Sequence, residues 1–404
     1  MLPEGRASFP GLEERVHQMI VAAGSPDPAG APSLRGRIEH LARTQAPLLG
    51  GPDLERLVAA VTARAEGLGP LEPLLADPDV TEVMVNGPGG VWIERQGRLQ
   101  RVEVELSTAT IEALIERVVG PLGLRVDRSS PLVDARLPDG SRVNAVVPPL
   151  AVDGPCLTIR RFGTRRVTLA EVCPPGVAEL LAWAVRARYN VLVSGGTGAG
   201  KTTLLNALAG EIPAGERVIT VEDAAELRLP GDHVVRLEAR PANAEGVGQV
   251  SLHQLVRNAL RMRPDRILVG EVRGPEALDM LQAMNTGHEG SLSTCHANSP
   301  ADALRRLETM VLVGATALPL SAVREQVDAA LDLVVQIARR PDGSRRVVGV
   351  GELAAPGERS VGDRIRTLAG RDGLRRLPVR PPRATEAPGP DPALVISAAG
   401  RDGS

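Results

Sequence analysis

Apolar residues recur along the chain with three different spacings, and the changes of spacing divide it. Over residues 1–66 they fall at helical intervals, in two patterns separated by a Pro/Gly/Ser-rich link at Gly24 to Ser33. A helix starting at Pro52-Asp53 carries Leu54, Leu57, Val58 and Val61 on one face, as 3.6 residues per turn require. This stretch predicts a small helical appendage. From Gly67 the spacing becomes short and alternating: Val80 to Val85, Val91 to Arg95 and Leu99 to Leu106, punctuated by turns at Asn86-Gly87-Pro88-Gly89-Gly90 and Gln96-Gly97. These are antiparallel strands with recognisable turn chemistry. A helix capped by Ser107 or Thr108 follows, with Ile111, Leu114, Ile115 and Val118 on one face. Val133 to Leu137, the turn Pro138-Asp139-Gly140, Arg142 to Val147 and Leu157 to Arg161 complete an α+β domain over residues 67–165.

The third spacing fills residues 166–371, after a short Arg-containing linker. Here short continuous apolar runs alternate with helical patterns, and each run ends in polar residues. Val191 to Val193 leads into a glycine loop, Val218 to Val221 ends in Glu222-Asp223, Ile267 to Val269 in Gly270-Glu271, and Ser291 to Thr294 in Cys295-His296. Repeated β-α units joined by right-handed crossovers make a parallel sheet, and ligands bind beyond the carboxyl ends of its strands. Glu222, Asp223, Glu271 and His296, far apart in sequence, are therefore expected around one site. A hairpin pattern closes the domain, Leu333 to Arg339 and Arg346 to Leu353 about Pro341-Asp342-Gly343. Residues 372–404 are rich in Pro, Arg and Gly, which predicts a disordered tail.

The glycine loop carries the most specific chemistry. Gly195, Gly196, Thr197, Gly198, Ala199, Gly200, Lys201, Thr202 and Thr203 have the spacing of a phosphate-binding P-loop. Its glycines permit positive φ, so that successive N–H groups and the following helix N-terminus face a phosphate. Lys201 brings a compact ammonium to the β and γ phosphates, and the Thr202 hydroxyl ligates Mg²⁺. Lys201 is also the only lysine among 47 basic residues.

Composition narrows the picture further. The 47 basic residues nearly balance 49 acidic ones, and aromatics make up 1% of the chain. Without stacking residues or excess positive charge, a single-strand nucleic-acid channel is disfavoured. Cys156, Cys173 and Cys295 are scattered and odd in number, which fits thiols in a reducing compartment. The amino-terminal residues lack a signal-peptide pattern. The longest apolar stretch, Met310 to Val323, is broken by Gly314 and Pro319 and is short of a membrane span. A cytosolic protein is expected, reaching a membrane only through partners.

Phosphoryl transfer to water needs a metal, an oriented water and positive charge on the equatorial oxygens. Glu271 stands at the Walker B position for Mg²⁺, and Glu222 is the candidate for orienting the water, with the two roles exchangeable. Asp223 is a further metal candidate or a helix cap. His296 is a candidate partner of the γ phosphate and His288 a supporting one, against the ordinary reading of both as packed or surface histidines. Arg142, Arg160 and Arg161, at strand ends of the first domain, are candidates for transition-state charge or plain surface residues.

GGTGAGKTTLLNAL, VITVEDAAEL, NALRMRPDRILVGEVRG, EALDMLQAMNTGHEGSLSTCHANSP and RLETMVLVGATALPLSAVREQV together resemble the CpaF-type ATPases of Tad/Flp pilus assembly, within the type II/type IV secretion ATPase superfamily. DGSRVNAVVPPLAVDGPCLTIRRF in the preceding domain is also similar, and the first 66 residues and the tail are not covered. The resemblance implies a RecA-like P-loop ATPase domain of α/β class behind a smaller, PAS-like α+β domain. It assigns Lys201 and Thr202 to Walker A, Glu222 and Asp223 to the Asp box, Glu271 to Walker B, and His288 and His296 to the His box. Arg142, Arg160 and Arg161 match the family's cleft arginines less securely. It implies a homo-hexamer binding ATP and Mg²⁺ between its two domains, cytoplasmic and peripheral at the inner face of the cell membrane. Its partner there is an inner-membrane platform protein, and it acts indirectly on pilin or a secreted substrate, with no nucleic acid. A type IV secretion or conjugation traffic ATPase shares the same motifs, and a nucleotide-gated scaffold that hydrolyses little is a third reading.

Overall fold

The computed structural model describes residues 10–22, 33–137, 139–161, 167–240, 242, 247–314, 318–354, 364–384 and 388–395. Most of the Gly24 to Ser33 link, Pro138, the 162–166 linker and residues 396–404 lie outside the described residues. The chain divides into two compact units, residues 1–163 and 164–404.

In the first unit, helices α1 (Pro10–Ala22), α2 (Leu34–Gln45) and α3 (Gly51–Glu66) meet through Val16, Ile20, Ile38, Leu57 and Val61. A short helix α4 (Glu72–Ala76) leads into strands β1 (Val80–Asn86), β2 (Val91–Arg95) and β3 (Arg98–Val102). Helix α5 (Thr108–Val119) and strands β4 (Leu132–Arg136), β5 (Arg142–Val146) and β6 (Cys156–Arg160) follow. The strands form one sheet in the order β3-β2-β1-β6-β5-β4, antiparallel throughout. Ser107 caps α5 by accepting the N–H of Thr110, and Ile111, Leu114, Ile115 and Val118 share a core with Val83, Val85, Ile93, Leu157 and Ile159 of the sheet. The strand expected to reach Leu106 ends at Val102, because Val102 pairs with Val91, the first residue of β2, and the partner strand runs out there.

The second unit starts with α6 (Leu169–Val172) and α7 (Val177–Arg186), and then alternates strands with helices. Its elements are β7 (Val191–Gly195), α8 (Lys201–Ala209), β8 (Val218–Glu222), β9 (Val234–Glu238), α9 (Leu252–Ala259), β10 (Arg266–Val269), α10 (Glu276–Asn285) and β11 (Leu292–His296). Helices α11 (Pro300–Gly314) and α12 (Leu320–Ala330) precede β12 (Leu333–Arg339), β13 (Arg345–Leu353), β14 (Ile365–Gly370) and β15 (Gly373–Leu374). The nine strands run β15-β14-β13-β12-β7-β11-β10-β8-β9. From β12 to β9 they are parallel, and β13 to β15 add an antiparallel edge. Both faces of the central strands are buried: Val191 and Val193 of β7 join one core with α7 and α8, and Leu192 joins the other with α9 to α12. Continuous apolar runs are what such a two-faced sheet demands.

Two features depart from expectation. Strand β9 pairs parallel with β8 although no helix joins them. The tail, expected to be disordered from 372, is instead held over its described residues. Asp332 and Glu352, buried at the ends of apolar strands, require donors, and the tail supplies them. Arg380 donates to Asp332 at 2.9 Å and to the carbonyl of Leu331 at 2.7 Å, and Arg383 donates to Asp332 at 2.6 Å. The N–H groups of Val379 and Arg380 bind Glu352 at 2.9 Å each. Trp183 donates its indole N–H to Pro388 at 2.7 Å.

Candidate nucleotide site

The P-loop leaves the carboxyl end of β7 and enters α8 at Lys201. Gly198 and Gly200 have φ of +67° and +96°, where a side chain is strained. Gly195 is required for a different reason: a Cβ there would stand 2.5 Å from the carbonyl oxygen of Ile337 on β12. The loop therefore lies tight against its neighbouring strand.

Lys201 is only 8% exposed. Its Nζ donates to the Gly196 carbonyl at 3.2 Å and lies 3.3 Å from the ring nitrogens of His296. His296 Nε2 stands 2.9 Å from Glu271 Oε1, and Glu271 Oε2 accepts from Arg273 at 2.5 Å. Burial lowers the pKa of His296, and Lys201 adds to this against the opposing pull of Glu271. One imidazole stands between the Lys201 ammonium and Glu271, meeting the carboxylate by proximity, since Glu271 Oε1 has no hydrogen-bond partner among the described residues. Three strands thus deliver one polar chain: Lys201 from β7, His296 from β11 and Glu271 from beyond β10.

Glu222 closes β8, one strand further on, and is 2% exposed. Its Oε2 accepts the N–H groups of Glu226 and Leu227 at 2.8 and 3.0 Å. Its Oε1 is buried with no hydrogen-bond partner among the described residues. Burial raises its pKa despite the two amides, which favour the charged form. The side chain occupies space that Gly270 leaves open, since a Cβ on Gly270 would meet Glu222 Cγ at 2.8 Å. Asp223 lies 3.7 Å from Arg273.

Other expected residues fall elsewhere. His288 precedes β11, at the amino ends of the strands, where its carbonyl accepts from Ser291. The four residues of strand from Leu292 to Cys295 separate it from His296, roughly 13 Å at ~3.3 Å per residue. His288 is therefore not a member of this constellation within the chain. In the first unit, Arg142 and Arg160 are cross-strand partners, with Glu82 opposite Arg160 on the other side. Arg161 is committed to its own unit: its guanidinium holds the carbonyls of Asp77 and Val80 at 2.5 and 3.1 Å.

The profile of the type II/IV secretion system proteins matches residues 64–369. The chain belongs to that family. It is 40% identical over 318 residues to a putative conjugal transfer protein of Mycobacterium tuberculosis (strain CDC 1551 / Oshkosh), covering 76% of this chain and 90% of the relative. It is 39% identical over 310 residues to the type IV secretion system protein PtlH of Bordetella pertussis, covering 69% and 91% of the two chains. The Legionella pneumophila ATPase DotB shares the fold, with a TM-score of 0.53 and 23% identity over 74% of this chain and 82% of the other. This secretion-family chain is thus an α/β protein whose site region lies inside the matched segment.

Whether the residues fit Mg²⁺ and ATP is tested by their donors. Among the described residues no group of three His, Cys, Asp or Glu side chains is arranged to hold a metal ion alone. Thr202 and Glu271 would supply oxygen to a hard cation such as Mg²⁺, which usually completes its shell with substrate phosphates and water. A curled glycine loop, a buried ammonium and a facing carboxylate therefore fit the metal only together with a polyphosphate. Arg273 was missed in the sequence, although its position two residues after Glu271 is the signal. Burial opposes its charge, but the hydrogen bond to Glu271 and the field of Asp223 prevail and raise its pKa. The buried thiols are inert bystanders, since burial pushes Cys173 and Cys295 up to about 12. Among the described residues no helix is long and apolar enough to cross a membrane.

Proposed function

We propose that this chain hydrolyses ATP as a ring hexamer and powers a pilus or secretion machine of the inner membrane. The carrying observation is the chain from Lys201 through His296 to Glu271 beside the P-loop. Lys201 and the loop amides bind the phosphates, Thr202 holds Mg²⁺, and Glu271 is the carboxylate at the reacting phosphate. Glu222 stands three strand spacings from β7, roughly 14 Å at ~4.8 Å each. Its amide bonds fit a role in anchoring the loop that presents Asp223 to Arg273. Arg142 and Arg160 are the remaining candidates for transition-state arginines. ATP-driven motion then passes to a platform protein, and through it to pilin or exported protein.

The motifs support Tad/Flp pilus assembly of the CpaF type. The names of the Mycobacterium and Bordetella relatives favour a second reading, a traffic ATPase of conjugation or type IV secretion. Steady-state ATPase activity over a range of protein concentrations, wild type beside Lys201→Ala, tests the core of the proposal. Specific activity that rises with concentration and vanishes in the variant supports an assembled ATPase. ATP binding without turnover at any concentration, in the presence of the platform protein, would leave the scaffold reading in its place.

A further inference from the structure

The terminal phosphate end of the site is set by Lys201, which reaches toward His296 on β11. Strands β11 and β12 flank β7 on opposite sides. A nucleotide whose γ phosphate meets Lys201 and His296 must lead its ribose and base away from β11, toward β12 and the hairpin it forms with β13. At that hairpin stand two arginines. A Cβ on Gly198 would lie 3.8 Å from Arg339 Nη1, and one on Gly200 would lie 2.8 Å from Arg345 Cδ. The stem of Arg345 thus fills the hollow that Gly200 leaves, and the exposed Arg339 carries its guanidinium past Gly198. The turn between them is fixed: Arg340 N–H donates to Ser344 at 2.8 Å, and Ser344 donates its N–H and hydroxyl to Asp342 at 2.8 and 2.6 Å. Arg346 ties the same hairpin to the Glu171 carbonyl of α6.

We propose, resting on the ATPase reading, that Arg339 recognises the nucleoside end of the bound nucleotide, its planar guanidinium lying against the base and ribose. A guanidinium is suited to this because it stacks on a π-face while remaining charged and weakly hydrated. Arg345 is a positioning residue that backs the loop at Gly200. No catalytic step passes through either residue.

Calorimetric titration of the full chain with ATP and, separately, with inorganic tripolyphosphate tests this, because tripolyphosphate engages the loop without a nucleoside. Arg339→Ala is expected to weaken ATP binding about 3- to 30-fold and to leave tripolyphosphate binding unchanged. Arg339→Lys, which keeps the charge and loses the plane, is expected to behave nearly as the alanine variant. Unchanged ATP affinity in Arg339→Ala, or equal weakening toward both ligands, overturns the assignment. Wild type that binds neither ligand, indistinguishable from Lys201→Ala, overturns the ATPase reading itself and this inference with it.

Discussion

The carboxylates of buried Glu222 and half-buried Glu271 are separable by experiment, because the structure gives them different partners. Glu222 Oε2 accepts two backbone N–H groups in a buried setting, so Glu222→Ala leaves both donors unpaired. At about 1–3 kcal/mol for each, moderated by local relaxation, the loss is about 2–5 kcal/mol. For a unit of this size that lowers Tm by roughly 5–15 °C. Glu222→Gln keeps an acceptor for the amides and imitates a neutral carboxyl, so it is expected to stay within about 1 kcal/mol of wild type and within a few-fold of its turnover. Glu271→Gln is expected to bind ATP normally and lose about 10²- to 10⁴-fold in kcat, the usual worth of a placed proton acceptor. The assays are thermal unfolding, ATP titration and steady-state hydrolysis on the three variants. If Glu222→Gln binds ATP and yet hydrolyses it as poorly as Glu271→Gln, the assignment of roles is wrong and Glu222 handles the water.

Four further outcomes are expected. Lys201→Ala should abolish turnover and phosphate binding together; near-normal hydrolysis would remove the P-loop assignment. The raised pKa of Glu222 means that the folded state binds its proton more tightly than the unfolded chain, so its contribution to stability falls as pH rises from about 4.5 toward the folded value. Glu222→Gln should therefore gain in Tm relative to wild type over that window, and a constant difference would show that Glu222 does not titrate there. Arg161→Ala should lower thermal stability with little change in rate, whereas loss of Arg142 or Arg160 should slow hydrolysis by up to ~10³- to 10⁵-fold if either stabilises the transition state. Arg380→Ala leaves buried Asp332 short of a partner and should cost about 3–5 kcal/mol in unfolding titrations, with ATP affinity unaffected, since Asp332 bonds Asn190 at the amino ends of the strands.

The turn from β7 into α8 was legible because Gly195, Gly198 and Gly200 are each demanded by local geometry. The convergence of Glu271 and His296 was legible because apolar runs of a parallel sheet end on one side. His288 misled because proximity in sequence to His296 says nothing about which end of a strand a residue occupies. The tail misled for another reason: Pro and Arg-rich composition resembles disorder, and the demand it meets lies elsewhere, in Asp332 and Glu352. Buried acidic residues within apolar strands were the available signal that cations must come to them. Strand β9 was missed because Val234 to Glu238 follows β8 without the intervening helix that marks a crossover.

The lysine at the P-loop has a consequence outside catalysis. All other basic side chains of this protein are guanidinium groups or imidazoles, so the molecule holds one ε-amine, and that amine is buried against His296. An acylating reagent directed at lysine therefore has one side-chain target, in the place that the proposed nucleotide would cover. Isotope labelling of lysine at Nζ alone yields a single side-chain resonance from a chain of 404 residues. Occupancy of the site is thus readable in a crude mixture or a large assembly, without a reporter group and without altering a residue.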